Sequence, residues 1–262
     1  EYLKIYKPIH LKPSNLKVIY DSANGANHII AKKLFDIYAP NSIQLGNTPN
    51  GKNINLDCGS THLDHIQSLH HHQSYDIAFS FDGDGDRIII LDGQGHVYDG
   101  DLIIYMIAKY LKSKKLLNHN TVVLTKMSNP GLLEALRKHE ISYELTDVGD
   151  KYVFEALENG GYTIGGESSG HIILTHLLHS GDGLLVALYM LHILDDLKTT
   201  LKELTEDVAF YPLKLTNIKG IDKSVLKSNV IINKVQQIKN DLGDSGLLLV
   251  RPSGTESLIR IT

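Results

Sequence analysis

Apolar positions along the chain switch between two spacings, and the switch repeats. LKVIYD (16–21) has the pattern of a buried strand, and SANGANHIIAKKLFDIY after it reads as a turn followed by helical spacing. SIQLG suggests a second strand. THLDHIQSLHHH then sets Leu63, Ile66 and Leu69 three apart, on one face of a helix. DIAFSF and RIIILD are two further strands, and they flank an acidic loop.

The rhythm then starts again. DGDLIIYMIAKYLK predicts an amphipathic helix, TVVLTKM a strand, and NPGLLEALRKH a helix with proline near its start. ISYELT, DKYVFEALENG and YTIGGESSGHIIL continue as strand, helix, and strand with loop. DGLLVALYMLHILDDL is a long helix with Asp182 as its cap. VIYDSANGA with its helix echoes VVLTKMSNPG with its helix. The expectation is an α/β fold of two similar units with mixed, mostly parallel sheets. From Tyr211 onward YPLKLTNI, SNVIINKVQQIKNDL and LLLVRPSGTESLIRIT predict a smaller α+β piece, cut short.

Composition narrows the classes of function. The 262 residues are 42% hydrophobic with a formal net charge of −4 and no basic run, which speaks against nucleic acid as a partner. Cys58 is the sole cysteine, so neither a disulfide framework nor a cysteine-rich zinc site is available. It reads as a packed thiol rather than a nucleophile. The longest apolar run, GLLVALYMLHIL from Gly183, is too short to span a bilayer. No membrane attachment and a cytoplasmic location are expected. The 14 histidines include His70, His71 and His72 at a helix end, where a solvated face is the simpler reading, and no H-E-x-x-H spacing occurs.

Three loops carry chemistry. FDGDGDR sets Asp82, Asp84 and Asp86 at alternate positions, with Gly83 and Gly85 letting the backbone curl. An EF-hand is excluded: counting from Asp82, its required glycine falls on Arg87 and its bidentate acid on Gly93. What remains is a tight turn whose hard oxygen donors suit Mg²⁺, or else a solvated acidic turn. Arg87 beside it could hold a phosphate bidentately.

GGESSGH (165–171) offers Glu167, Ser168, Ser169 and His171, which suit sugar hydroxyls as well as an ordinary surface turn. RPSGTESLIR (251–260) places Ser253, Gly254 and Thr255 between Arg251 and Arg260, the chemistry of a phosphate nest or of a turn with surface arginines. It has no Walker pattern.

Together, in this order, DGDGDR, GE-x-SGH and R-x-SGT-E resemble the α-D-phosphohexomutase superfamily. VIYDSANGA, NTPNGKNINLDCGSTH, VVLTKMSNPG, TDVGDKYV and SGDGLL extend the resemblance through nearly the whole chain, toward its bacterial phosphoglucosamine mutase branch. The resemblance implies boundaries: a linker over 1–12, a second domain over 13–98, a third over 99–210 and the front of a fourth over 211–262. It also implies phosphoryl transfer between a phosphoserine and a hexose phosphate, interconverting glucosamine 6-phosphate and 1-phosphate. Asp82, Asp84 and Asp86 match the Mg²⁺ ligands, and Arg87 a group at the transferring phosphoryl. Glu167 and Ser169 match the residues on the sugar hydroxyls. Arg251, Ser253, Gly254 and Thr255 match the loop on the other phosphate. His171 and Lys151 lie where the family keeps polar groups near substrate, and a homodimer is possible for the full-length protein.

Asp150 stands where phosphomannomutase/phosphoglucomutase enzymes carry histidine, which with the NIN–CGSTH segment favours the glucosamine branch. Two features depart from the pattern. Ser257 stands where the family has proline. No Ser-His-Asn-Pro type loop occurs, so the fragment alone is expected to be inactive. Two other readings stay open: a phosphoglucomutase or phosphomannomutase, and a non-catalytic sugar-phosphate-binding module. A magnesium-dependent phosphatase of another fold lacks support, since its D-x-D-x-T motif is absent.

Overall fold

The structure is a computed structural model, and it describes residues 11–69, 74–214, 216–243, 246–253 and 257–262. His70, His71, His72, Gly254 and Thr255 lie outside the described residues. The chain divides into two compact units. One holds residues up to Ser128 together with Leu136–Asp207, and the other holds Asn129–Ala135 with Val208–Thr262.

The first unit contains two five-stranded sheets. One runs β2-β1-β3-β4-β5, from β1 (Val18–Asp21), β2 (Ile43–Leu45), β3 (Ile77–Phe81), β4 (Ile88–Asp92) and β5 (Val97–Tyr98). β1 pairs in parallel with β2 and β3, while β3–β4 and β4–β5 are antiparallel. Helix α1 (His28–Tyr38) buries Leu34 and Phe35, and Phe35 stacks on Tyr20 with ring centroids 4.1 Å apart. On a second cluster, Ile66 of α2 (Asp64–Leu69) packs with Ile19, Tyr75, Ala78 and Leu91. Burying these rings and branched side chains contributes roughly 1.5–3 kcal/mol each.

The other sheet runs β10-β9-β8-β6-β7, from β6 (Thr121–Thr125), β7 (Ser142–Thr146), β8 (Ile164–Gly166), β9 (Ile172–Leu174) and β10 (Leu178–Gly181). It too has two parallel and two antiparallel pairings. The sheets are therefore mixed as expected, with a smaller parallel share than expected. The reason is local: the acidic loop and the glycine-rich loop each close a hairpin, and a hairpin forces antiparallel pairing.

Helices α3 (Gly100–Ser113), α5 (Asp150–Gly160), α6 (Gly183–Leu197) and α7 (Leu201–Thr205) complete this unit. Asp99 and Asp182 cap α3 and α6 by accepting from Leu102 N (3.2 Å) and Leu185 N (3.0 Å). The α6 run GLLVALYMLHIL is apolar all round because α6 is buried on nearly every side. Among the described residues no helix is long and apolar enough to cross a membrane.

The second unit is a three-stranded antiparallel sheet, ordered β11-β13-β12, from β11 (Thr216–Lys219), β12 (Val250–Pro252) and β13 (Leu258–Ile261), with helix α8 (Asn229–Leu242). Helix α4 (Pro130–Lys138) starts in this unit. There Asn129 clamps Tyr211 on both sides: Nδ2 donates to Tyr211 O (2.8 Å) and Oδ1 accepts from Tyr211 N (3.0 Å).

Candidate functional site

The acidic loop is the turn between β3 and β4, at the strand end where Phe81 and Ile88 pair. Gly85 has φ +81°, a conformation that side chains resist. A Cβ on Gly83 would come within 2.5 Å of the Ile54 side chain. The SANG turn leans on the same loop, with Ala26 N donating to Gly83 O (2.8 Å). This packing brings three carboxylates together, Asp82 and Asp86 half-buried and Asp84 exposed: one oxygen from each lies within 4.8 Å of the others.

The electrostatic consequence is severe. Burial, with Asp84 and Asp86 beside it, raises the Asp82 carboxyl to about 7, against the pull of the Arg87 N–H bonded to Asp82 Oδ1. Asp86 Oδ1 is buried without a hydrogen-bond partner. Arg87 Nε lies 3.8 Å from Asp82 Oδ2 and 3.9 Å from Asp86 Oδ1, close enough to soften the charge but not to cancel it. An orphaned carboxylate oxygen within a cluster of hard donors fits a small divalent cation.

The glycine-rich loop joins β8 to β9 and is bonded directly to the acidic loop. Ile88 N donates to Gly170 O (3.1 Å), and Arg87 and His171 form an isolated antiparallel bridge. Gly170 sits at φ +92°, and a Cβ there would fall 2.1 Å from Ile88 O, so no other residue fits. His171 is buried and donates from Nδ1 to Asp86 Oδ2 (2.9 Å). Glu167 Oε1 accepts from Gly149 N (2.9 Å), while the Ser169 side chain is exposed.

Behind His171 lies a cavity of about 230 Å³, lined by Asp150, Lys151, Phe154, His171, Ser180 and Gly181 among others. Lys151 points outward along α5, with Nζ 3.7 Å from Glu155 Oε1. A larger cavity of about 430 Å³ around Lys115, Asn118 and His176 includes none of the sequence-derived site residues.

The third loop belongs to the second unit. Arg251 and Arg260 face each other across the β12–β13 pair. Ser253 is buried, its N–H donates to Leu258 O (2.9 Å), and its carbonyl accepts from Lys223 Nζ (2.7 Å).

Two readings outside the loops resolve simply. Cys58 is buried, with burial as the main cause pushing its thiol pKa up, so it is a packed thiol. Asp182 caps α6. The sequence reading missed the bond from His171 to Asp86, the Gly149–Glu167 clamp, and the Asp21–His65 pair at the foot of the SANG turn, where His65 Nε2 lies 2.9 Å from Asp21 Oδ2. Each is a long-range contact that no local spacing encodes.

Comparison with known proteins adds to this geometry. The family model for phosphoglucomutase/phosphomannomutase alpha/beta/alpha domain II matches residues 1–95, domain III matches 99–211, and the C-terminal domain matches 213–262. The phosphoglucosamine mutase of Limosilactobacillus reuteri subsp. reuteri (strain JCM 1112) is 43% identical over 247 residues, covering 94% of this chain and 55% of the relative. That of Bacillus cereus (strain B4264) is 42% identical over 249 residues, covering 95% and 56%. The chain thus spans about half the length of the curated relatives it matches. Among solved structures, Aspergillus fumigatus N-acetylphosphoglucosamine mutase in complex with GlcNAc-6P and magnesium superposes with a TM-score of 0.81 at 19% identity, covering 98% of this chain and 64% of that one. A phosphoglucomutase/phosphomannomutase family protein from Burkholderia thailandensis gives a TM-score of 0.79 at 20% identity, covering 99% and 59%. The motifs, the paired sheets and the three matching domain models agree: the chain belongs to the phosphoglucomutase/phosphomannomutase family of the α-D-phosphohexomutase superfamily.

Proposed function

We propose that this chain carries the metal, sugar and phosphate loops of a phosphoglucosamine mutase, which interconverts glucosamine 6-phosphate and glucosamine 1-phosphate by way of a phosphoserine and a bisphosphate sugar. The stretches 13–98, 99–210 and 211–262 then serve as its second, third and fourth domains. The observation that carries the reading is the union of the acidic and glycine-rich loops through His171 and Asp86. It sets cation ligands and sugar ligands side by side, which a phosphoryl transfer to a sugar requires.

Each residue has a task that its chemistry suits. Asp82, Asp84 and Asp86 would hold Mg²⁺, which when bound offsets charge on the transferring phosphoryl group. Arg87 adds a planar fork of donors at that group. His171 fixes the orientation of Asp86 through Nδ1. Glu167 has one oxygen committed to Gly149 N and offers the other to a sugar hydroxyl, with Ser169 beside it as donor or acceptor. Lys151 brings a cation to the rim of the cavity behind His171. Arg251 and Ser253, with Gly254 and Thr255, would bind the phosphate that is not transferred.

The reading is tested in the whole protein by Asp84→Asn. Turnover of glucosamine 6-phosphate should fall at least a hundredfold, since one ligand of the cation is lost, while the unfolding midpoint holds. Near-normal turnover would remove the metal assignment.

A further inference from the structure

We propose that Asn27 is a positioning residue of the acidic loop: its side-chain carboxamide bonds to the loop around Gly85 when the cation is bound, and so strengthens cation binding without touching the ion. This rests on the cation reading of Asp82, Asp84 and Asp86 and deepens it. Asn27 stands at the N-cap position of α1, where asparagine is favoured because its side-chain oxygen accepts from an amide of the first turn. Here it does not do so. The residue has φ −83° and ψ −4°, already helical, and its side chain makes no cap bond. It is folded inward instead, only 7% exposed, with Nδ2 and Oδ1 both buried and without a hydrogen-bond partner among the described residues. An unpaired buried carboxamide costs free energy, so the arrangement calls for a state in which its bonds are made.

The place of the side chain identifies that state. A Cβ on Gly85 would lie 3.0 Å from Asn27 Nδ2 and 3.3 Å from its Cγ, so the carboxamide packs against the glycine between Asp84 and Asp86. The loop is pinned at two points around this contact. Ala26 N donates to Gly83 O (2.8 Å), and Gly183 N, at the start of α6, donates to Gly85 O (3.0 Å). Asp84, between those pins, is the exposed member of the trio. Drawing its carboxylate onto a shared cation moves the backbone of Asp84 and Gly85, and Gly85 has no side chain to hold it off the carboxamide. Asp86, the next residue, carries the loop's own buried oxygen without a partner, Oδ1. One loaded arrangement then meets both needs: the cation takes the carboxylate oxygens, and the loop backbone takes the Asn27 amide, which can both donate and accept.

The test is Mn²⁺ titration by electron paramagnetic resonance on the whole protein, wild type and Asn27→Ala, with unfolding midpoints in EDTA measured beside it. Asn27→Ala should lower Mn²⁺ affinity about tenfold. Its midpoint in EDTA should equal or exceed that of wild type, because an unpaired buried amide has been removed. A side chain that merely supports the fold gives the opposite sign in EDTA. In ¹⁵N-labelled protein, the side-chain amide signal that Asn27→Ala deletes should shift when Mg²⁺ saturates the wild type. Unchanged Mn²⁺ affinity in Asn27→Ala, a lowered midpoint in EDTA, or an Asn27 signal that Mg²⁺ leaves in place would overturn this inference and leave the cation site standing. Absence of Mn²⁺ binding in wild type would overturn the cation reading as well.

Discussion

His171 Nδ1 donates to Asp86 Oδ2 at 2.9 Å, so the loop proposed to grip the sugar also holds one of the three proposed metal ligands. Position and charge at the two sites are coupled through one buried imidazole. His171→Ala should therefore weaken cation binding even though His171 is not itself a ligand. Partners of this kind are typically worth 10–100-fold in metal affinity. Titrating Mn²⁺ by electron paramagnetic resonance should show a loss of at least tenfold, with partial recovery in His171→Asn. Unchanged affinity in His171→Ala would mean that Asp86 is held without it.

Asp82 gives a pH prediction in the absence of metal. Its carboxyl has an ordinary value of 3.8 and is raised to about 7 in the fold, chiefly by burial. The folded state thus keeps a proton that the unfolded state gives up between those values. Stability contributed by this group falls as pH rises from about 4 to 7 and stays lost above 7. Asp82→Asn should raise the unfolding free energy in EDTA at pH 8 by on the order of 1 kcal/mol, after allowance for partial solvent screening, with no gain at pH 3.5. Chemical denaturation at the two pH values checks this, and a destabilised variant at pH 8 would contradict it.

The Asp21–His65 pair makes the opposite demand. Burial alone would raise Asp21, but His65 and the N–H groups of Gly59 and Ala23 outweigh it and lower its pKa. Hydrogen bonding to Asp21 raises His65 above its ordinary 6.5, against the effect of burial. For the imidazole, the stability is complete below 6.5 and lost as pH rises through its raised value. For the carboxylate, it is present above 3.8 and lost as pH falls through its lowered value. His65→Gln should lower the melting temperature by several degrees at pH 5.5 and by little at pH 9. Equal loss at both would show that the imidazole's charge contributes nothing.

Arg251 stands opposite Arg260 in the register of the β12–β13 pair, and its guanidinium is a planar fork of donors that suits a phosphate. Arg251→Ala should reduce affinity for glucosamine 6-phosphate about tenfold or more and leave Mg²⁺ affinity within twofold. Parallel calorimetric titrations decide it. The reverse pattern would detach this loop from phosphate binding.

How much of this was legible in the sequence follows from the range of the interactions. β1, β3, α3 and α6 were readable because their buried faces leave local apolar patterns, and α6 also because its cap, Asp182, stands at its N-terminus. β10 was missed because LHSG is a half-exposed edge segment with a register shift, and so has no apolar period. α7 was missed because its five residues bury only Leu201 and Leu204. The acidic loop was visible because its three aspartates fall at alternate positions within five residues. Its dependence on His171, 85 residues away, was not, and neither was the Gly149–Glu167 clamp. Those contacts exist only once both sheets have formed.

The most direct test of the central claim is a coupled mutase assay on the whole protein with Mg²⁺, comparing glucosamine 6-phosphate, glucose 6-phosphate and mannose 6-phosphate. Turnover of glucosamine 6-phosphate is expected, with kcat/KM at least tenfold above that for the other two sugars. A preference for glucose or mannose 6-phosphate would keep the fold and the metal loop but replace the substrate. No turnover of any of the three would contradict the mutase reading itself.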